Sequence, residues 1–160
     1  MSAQELTSVQ AEATTRQRPK EFHFPLAVEW IGERRVTARV EGKLPVEVSP
    51  PPVFRGVDPS LWSPEDFLVA AAASCLAVTF TGLAERAGVP YADLRVDADG
   101  VASMRGDGRF GFTRLTLRLT VTGDDADELR RLAEKAEETC LVSASVAFPV
   151  DVEIDVRGRP

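Results

Sequence analysis

The sequence predicts a single α+β domain, and three observations predict it. Runs of alternating apolar and polar residues lie toward both ends, one long uncharged helix lies between Ser63 and Gly88, and an amphipathic helix precedes the last alternating run. The chain has 160 residues, 44% of them hydrophobic, which is enough for one substantial core. The expected division is a polar tail over residues 1–20 and one folded domain over residues 21–160.

The elements follow in order. Leu26 to Ile31, Arg35 to Val40 and Leu44 to Val48 read as a meander of three strands, punctuated by Gly32 and by the turn Glu41-Gly42-Lys43. Ser49 to Pro59 is rich in proline and glycine and reads as an irregular surface loop. Ser63-Pro64-Glu65-Asp66 announces a helix with an N-cap serine, a proline in the first turn and acids at the positive end of the dipole. It is expected to run to Ala87 and to stop at Gly88. Between Phe67 and Leu83 it is apolar nearly all round, so it is expected to be buried on most sides, with a second subunit completing the enclosure. Two longer strands, Leu94 to Met104 and Phe110 to Thr122, are joined by the turn Arg105-Gly106-Asp107-Gly108. A second helix starts after Gly123-Asp124-Asp125 and carries Leu129, Leu132, Ala133, Ala136 and Cys140 on one face. Val146 to Val156 closes an antiparallel sheet.

Composition excludes several classes of function. The formal charge is −6, so no excess of lysine and arginine is available to neutralise nucleic-acid phosphates or an anionic bilayer. The uncharged stretch from Phe67 to Ala84 has the length of a membrane span, but Ser74, Thr79, Thr81 and Gly82 interrupt it and no Lys/Arg asymmetry flanks it. It reads as a buried helix of a soluble protein. The tail lacks the apolar run of a secretory signal, which makes a reducing cytoplasm the expected compartment.

There are two cysteines and one histidine. His23, Cys75 and Cys140 are too few and too scattered for a structural zinc site and lack the clustered spacing of a catalytic one. A Ser-His-Asp or Cys-His enzyme would rest entirely on His23, which reads as a half-exposed strand residue. No GxSxG, GxGxxG or GxxxxGK[ST] pattern occurs. From spacing alone, Cys75 and Cys140 fit two readings, a pair of small core residues or a pair of redox thiols. The second needs a cation near one sulfur, and Arg34, Arg35, Arg39 and Arg55 lie upstream where strands or the proline-rich loop can deliver one.

Ser63-Pro64-Glu65-Asp66-Phe67, the small-residue run, Ala73-Ser74-Cys75-Leu76 and Ala136-Glu137-Glu138-Thr139-Cys140-Leu141-Val142-Ser143 together resemble the OsmC/Ohr family of thiol-dependent organic hydroperoxide reductases, over about Trp30 to Val156. The resemblance implies an OsmC-like fold, with antiparallel sheets around a buried central helix in an intertwined homodimer. It implies a peroxidatic Cys75 and a resolving Cys140 joined in a redox-active disulfide, an organic hydroperoxide as substrate, and a dithiol or lipoyl-type reductant in place of any bound cofactor. Glu65 matches the family acid that partners an arginine near the thiolate. Arg34 is the arginine implied by position, with Arg35 and Arg55 as alternatives, although Glu33 stands beside it and the family's Gly-Gly-Arg-like turn is absent. Ten residues along a helix rise about 15 Å and rotate about 280° past two full turns, so Glu65 acts on Cys75 only through a bridging group or across an interface. Phe54, Trp62 and Phe67 are candidates to line an apolar substrate pocket. The same fold also admits a non-catalytic dimer that binds ligands or senses oxidants.

Overall fold

The computed structural model describes residues 20–159. The expected tail over residues 1–20 therefore lies outside the described residues apart from Lys20. Two three-stranded sheets and one long helix set the architecture. The first sheet holds β1 (Ala27–Gly32), β2 (Arg35–Arg39) and β3 (Val46–Val48), in that order and antiparallel throughout. Gly32 and Glu33 make the β1–β2 turn, both at positive φ, 113° and 51°. The loop that follows contains a 3-10 turn at Pro52–Phe54. His23 lies exposed in the extended segment before β1, not half-exposed within a strand.

α1 (Pro64–Ala87) has the predicted boundaries, and its signals act as their chemistry requires. The Ser63 hydroxyl accepts a hydrogen bond from the Asp66 backbone N–H at 3.1 Å, and the Asp66 carboxylate accepts one from the Ser63 N–H at 2.8 Å. This reciprocal box satisfies two donors that a bare helix end leaves orphaned. At the other end Gly88 adopts φ 68°, the left-handed conformation that glycine takes most cheaply.

The second sheet holds β4 (Asp93–Met104), β5 (Phe110–Thr122) and β6 (Val150–Arg157), in that order. β4 and β5 pair antiparallel as the hairpin predicts. β6, however, pairs parallel to β5, from Leu115 against Val150 to Thr122 against Arg157, so the expected all-antiparallel sheet is mixed. The physical reason is the connection. α2 (Ala126–Glu138) carries the chain back along the sheet, and a strand entered after such a crossover runs parallel to the one before it. The strand also starts at Val150, later than Val146.

The core lies where α1, α2 and the inner face of β4–β6 meet. Ala72, Leu76, Phe80 and Ala84 from α1 pack with Leu115, Leu117, Leu119 and Val121 of β5 and with Leu129, Leu132, Ala133 and Ala136 of α2. Full burial of each large side chain contributes about 1.5–3 kcal/mol. Gly100 lets α1 sit close to β4, since a Cβ there would lie 2.7 Å from both Phe112 and Val69.

Two surfaces stay uncovered. Among the described residues α1 is buried along one side only; Phe67, Ala71, Ser74 and Val78 face outward, so these residues do not supply the enclosure expected of this helix. The first sheet packs sparsely on the rest of the domain and is tied to it by the Ser49 N–H donating to the Trp62 carbonyl at 3.1 Å. Phe22, Phe24, Leu26, Val28 and Trp30 recur every second residue and are all exposed, Phe24 by 84% and Trp30 by 74%.

Candidate functional site

Cys75 lies on α1 one residue before the buried Leu76, half-buried at the margin of the core. Burial pushes its thiol pKa up, but hydrogen bonds to the sulfur outweigh this and hold the thiol below its ordinary value. In order of weight they come from the Val142 backbone N–H, the Cys140 thiol, the Leu141 backbone N–H and the Thr79 hydroxyl. Thr79 stands four residues on, which places it over the same helix face. Such hydrogen bonds favour the thiolate, the nucleophilic form of the side chain.

The groups on the other side of the sulfur come from a break that the sequence pattern does not reveal. Cys140 was expected near the end of the second helix, on its inward face. Instead α2 ends at Glu138, Thr139 closes it, and Cys140 is the N-cap of a separate four-residue helix, α3 (Leu141–Ala144). The 3.6-residue periodicity carries through the break, so the buried face was placed correctly although the helix was not. Cys140 is 1% exposed and belongs to the core. The Ser143 hydroxyl donates to its sulfur at 3.2 Å. Both thiols are free, and Cys140 is close enough to Cys75 to help lower its thiol pKa. Thr79, Ser143 and the two N–H groups of α3 were not singled out in the sequence. The i+4 spacing from Cys75 to Thr79 was the one available signal.

Glu65 lies elsewhere on α1. It lines a groove of about 640 Å³ bounded by Trp62, Val69, Ala73, Gly100 and Phe112, a groove that neither cysteine reaches. Its Oε2 atom is buried without a hydrogen-bond partner among the described residues. Asp66, not Glu65, caps the helix.

The three candidate arginines have different surroundings. The Arg34 guanidinium donates to the carbonyls of Phe54, at 2.9 Å, and Arg55, at 3.4 Å, and so pins the 3-10 turn. The backbone of Arg55 is left-handed, with φ 61°. Arg35 lies 3.8 Å from the Glu33 carboxylate and 4.0 Å from that of Glu47, and its Nε is buried without a hydrogen bond among the described residues. No guanidinium of the described chain is among the groups that shift Cys75. Of the aromatic candidates, Trp62 stacks at a tilt on Phe67, with centroids 5.4 Å apart, and lines the groove. Phe54 turns away to meet Phe110 edge-on at 5.9 Å. Among the described residues no three His, Cys, Asp or Glu side chains gather to hold a metal ion.

The fold has counterparts among known proteins. The sequence model of OsmC-like proteins matches residues 57–155. The uncharacterised protein YmaD of Bacillus subtilis is 27% identical over 142 residues, covering 84% of this chain and 93% of that protein. An OsmC-like protein of unknown function from Vibrio cholerae superposes with a TM-score of 0.75 at 22% identity, over 84% of this chain and 99% of that one. An organic hydroperoxide resistance protein from Elizabethkingia anophelis superposes with a TM-score of 0.71 at 20% identity, over 89% of this chain and all of its own.

Proposed function

The chain belongs to the OsmC-like protein family, and on that premise we propose that it is a thiol-dependent peroxidase that reduces organic hydroperoxides with electrons from an external dithiol. The observation that carries the reading is the Cys75 thiol, half-buried, held below its ordinary pKa by hydrogen bonds and directly beside a second free thiol. The Cys75 thiolate attacks the terminal peroxide oxygen, the O–O bond breaks, and the alkoxide leaves and is protonated to the alcohol. The Cys140 sulfur then displaces water from the resulting sulfenic acid, forming the Cys75–Cys140 disulfide. A dithiol, of small-molecule or lipoyl type, returns two electrons and two protons. The two N–H groups of α3 and the Thr79 hydroxyl hold the charge of the thiolate before the peroxide arrives.

The reading includes a homodimer. The exposed stripe from Phe22 to Trp30 and the uncovered face of α1 are both largely apolar and both lack a partner among the described residues. A second copy that laid its first sheet against the first copy's α1 would cover both. It would also bring an arginine to the unsatisfied Glu65. Arg34 already holds two carbonyls, whereas Arg35 makes only long ion pairs, to Glu33 at 3.8 Å and Glu47 at 4.0 Å, and its buried Nε lacks a hydrogen bond among the described residues as Glu65 Oε2 does, so Arg35 of a second copy is the better-matched partner. We place the cycle in a reducing cytoplasm, where thiol donors are at hand.

Turnover of cumene hydroperoxide with dithiothreitol or dihydrolipoamide tests the proposal. Peroxide should disappear catalytically and the oxidised chain should weigh two hydrogens less. A wild-type protein that leaves organic hydroperoxides untouched with every dithiol donor would sink it.

A further inference from the structure

The disulfide cycle proposed above leaves open which sulfur the reductant attacks and where the displaced charge goes. Cys140 is 1% exposed, while Cys75 is only half-buried. The Ser143 hydroxyl lies 3.2 Å from the Cys140 sulfur and donates to it, three residues along the chain on the same short helix. Cys140 otherwise belongs to the buried apolar core that includes Leu76, Leu132 and Ala136.

We propose that Ser143 is the hydrogen-bond donor that receives Cys140 as the leaving thiolate when the Cys75–Cys140 disulfide is reduced, and that it thereby directs the reductant to Cys75. The thiolate of the dithiol attacks the Cys75 sulfur, a new S–S bond forms there, and the Cys75–Cys140 bond breaks with its electron pair on Cys140. Ser143 holds that charge until Cys140 takes a proton. The second thiol of the donor then attacks the mixed disulfide, releasing Cys75 as thiolate and the donor as its cyclic disulfide. Leaving-group thiols depart faster as they become more acidic, and a buried thiolate without a donor is a poor leaving group. With Ser143 donating to the Cys140 sulfur, the Cys140 S–H is left free to donate toward Cys75, in keeping with Cys140 lowering the Cys75 thiol pKa.

The inference rests on the two-cysteine reading but is tested apart from peroxide chemistry. The disulfide is formed with diamide in the full-length wild-type protein and in Ser143→Ala and Ser143→Thr, and its reduction by dithiothreitol is followed by stopped flow from pH 6 to 9. Loss of a hydrogen bond to a charged group should slow reduction of Ser143→Ala about tenfold. Ser143→Thr, which keeps the hydroxyl, should stay within about threefold of wild type, and the variants should converge in urea, where the contact is gone. Equal native rates for Ser143→Ala and wild type would overturn the proposal. So would slowing that the threonine does not rescue, a rate difference that persists in urea, or failure of diamide to form the bond. A wild type that forms the disulfide and shows the serine effect but consumes no peroxide would refute the peroxidase reading and leave this one standing.

Discussion

Val142, through its backbone N–H, is the strongest of the groups that lower the Cys75 thiol pKa, although the two residues come from different helices and Val142 lies two places beyond the other cysteine. The turn that carries the resolving candidate thus also supplies the charge stabilisation for the peroxidatic one. Chain that moves Cys140 moves those donors with it.

This coupling sets a pH dependence. Cys75 in the folded chain ionises below its ordinary value, so we expect its alkylation by iodoacetamide to rise with a midpoint below that of the same thiol in the urea-unfolded chain. Thr79→Val removes one donor and should raise that midpoint. The linked stability has the sign of a depressed pKa: it is fully present above the unfolded value and is lost as pH falls through the folded one. Cys75→Ser should therefore flatten the upper part of the stability–pH curve in urea titrations. A Cys75 midpoint at or above the unfolded value would refute the hydrogen-bonded thiolate.

The two cysteines should fail differently. Cys75→Ser should abolish peroxide consumption. Cys140→Ser should keep one fast reaction per chain and then stop, leaving a sulfenic acid at Cys75 that dimedone traps and mass spectrometry reads. If Cys140→Ser turned over at the wild-type rate with a dithiol, Cys140 would be a core residue only.

Packing around α1 admits a sharper test of how the site is held. Gly100→Ala puts a Cβ 2.7 Å from Phe112 and from Val69, one helical turn and a half before Cys75, and overpacking of this kind costs about 1–3 kcal/mol. Urea unfolding should show the loss. Ala98→Ser, at an exposed position two residues away on the same strand, should show little.

What the sequence made legible follows from which physical signals are local. The caps of α1 were readable because Ser63, Asp66 and Gly88 satisfy their own helix ends within a few residues. The β4–β5 hairpin was readable for the same reason. The direction of β6 was not, because an alternating pattern marks which face is buried and says nothing of which way the strand runs. The end of α2 at Glu138 was hidden because Ala136 and Cys140 keep the same inward spacing across the break. The two cysteines stand out in the sequence as candidates, and the hydroxyls beside them do not, since Thr79 and Ser143 are ordinary residues until a sulfur is placed within reach.

The arginine question can be decided by substitution. Arg34 is committed to the carbonyls of Phe54 and Arg55, whereas Arg35 Nε and Glu65 Oε2 are each buried without a hydrogen bond among the described residues. A buried polar atom without a hydrogen bond costs free energy, so a dimer that joins these two removes two such costs, with Arg35 exchanging its long contacts to Glu33 and Glu47 for a hydrogen-bonded one. We expect Arg35→Met to lower kcat/KM for cumene hydroperoxide about a hundredfold, the scale of losing one preorganised electrostatic group. Glu65→Gln should lower it by a similar factor, and the double variant should lose little more than either, because a pair that acts as a unit is not additive. Arg34→Met should instead loosen the turn at Pro52–Phe54 and leave turnover within about threefold. Sedimentation tests the dimer itself: Trp30→Glu, which charges the exposed stripe, should halve the wild-type mass and lower activity together. Strong loss from Arg34→Met with an active Arg35→Met would move the catalytic arginine to Arg34.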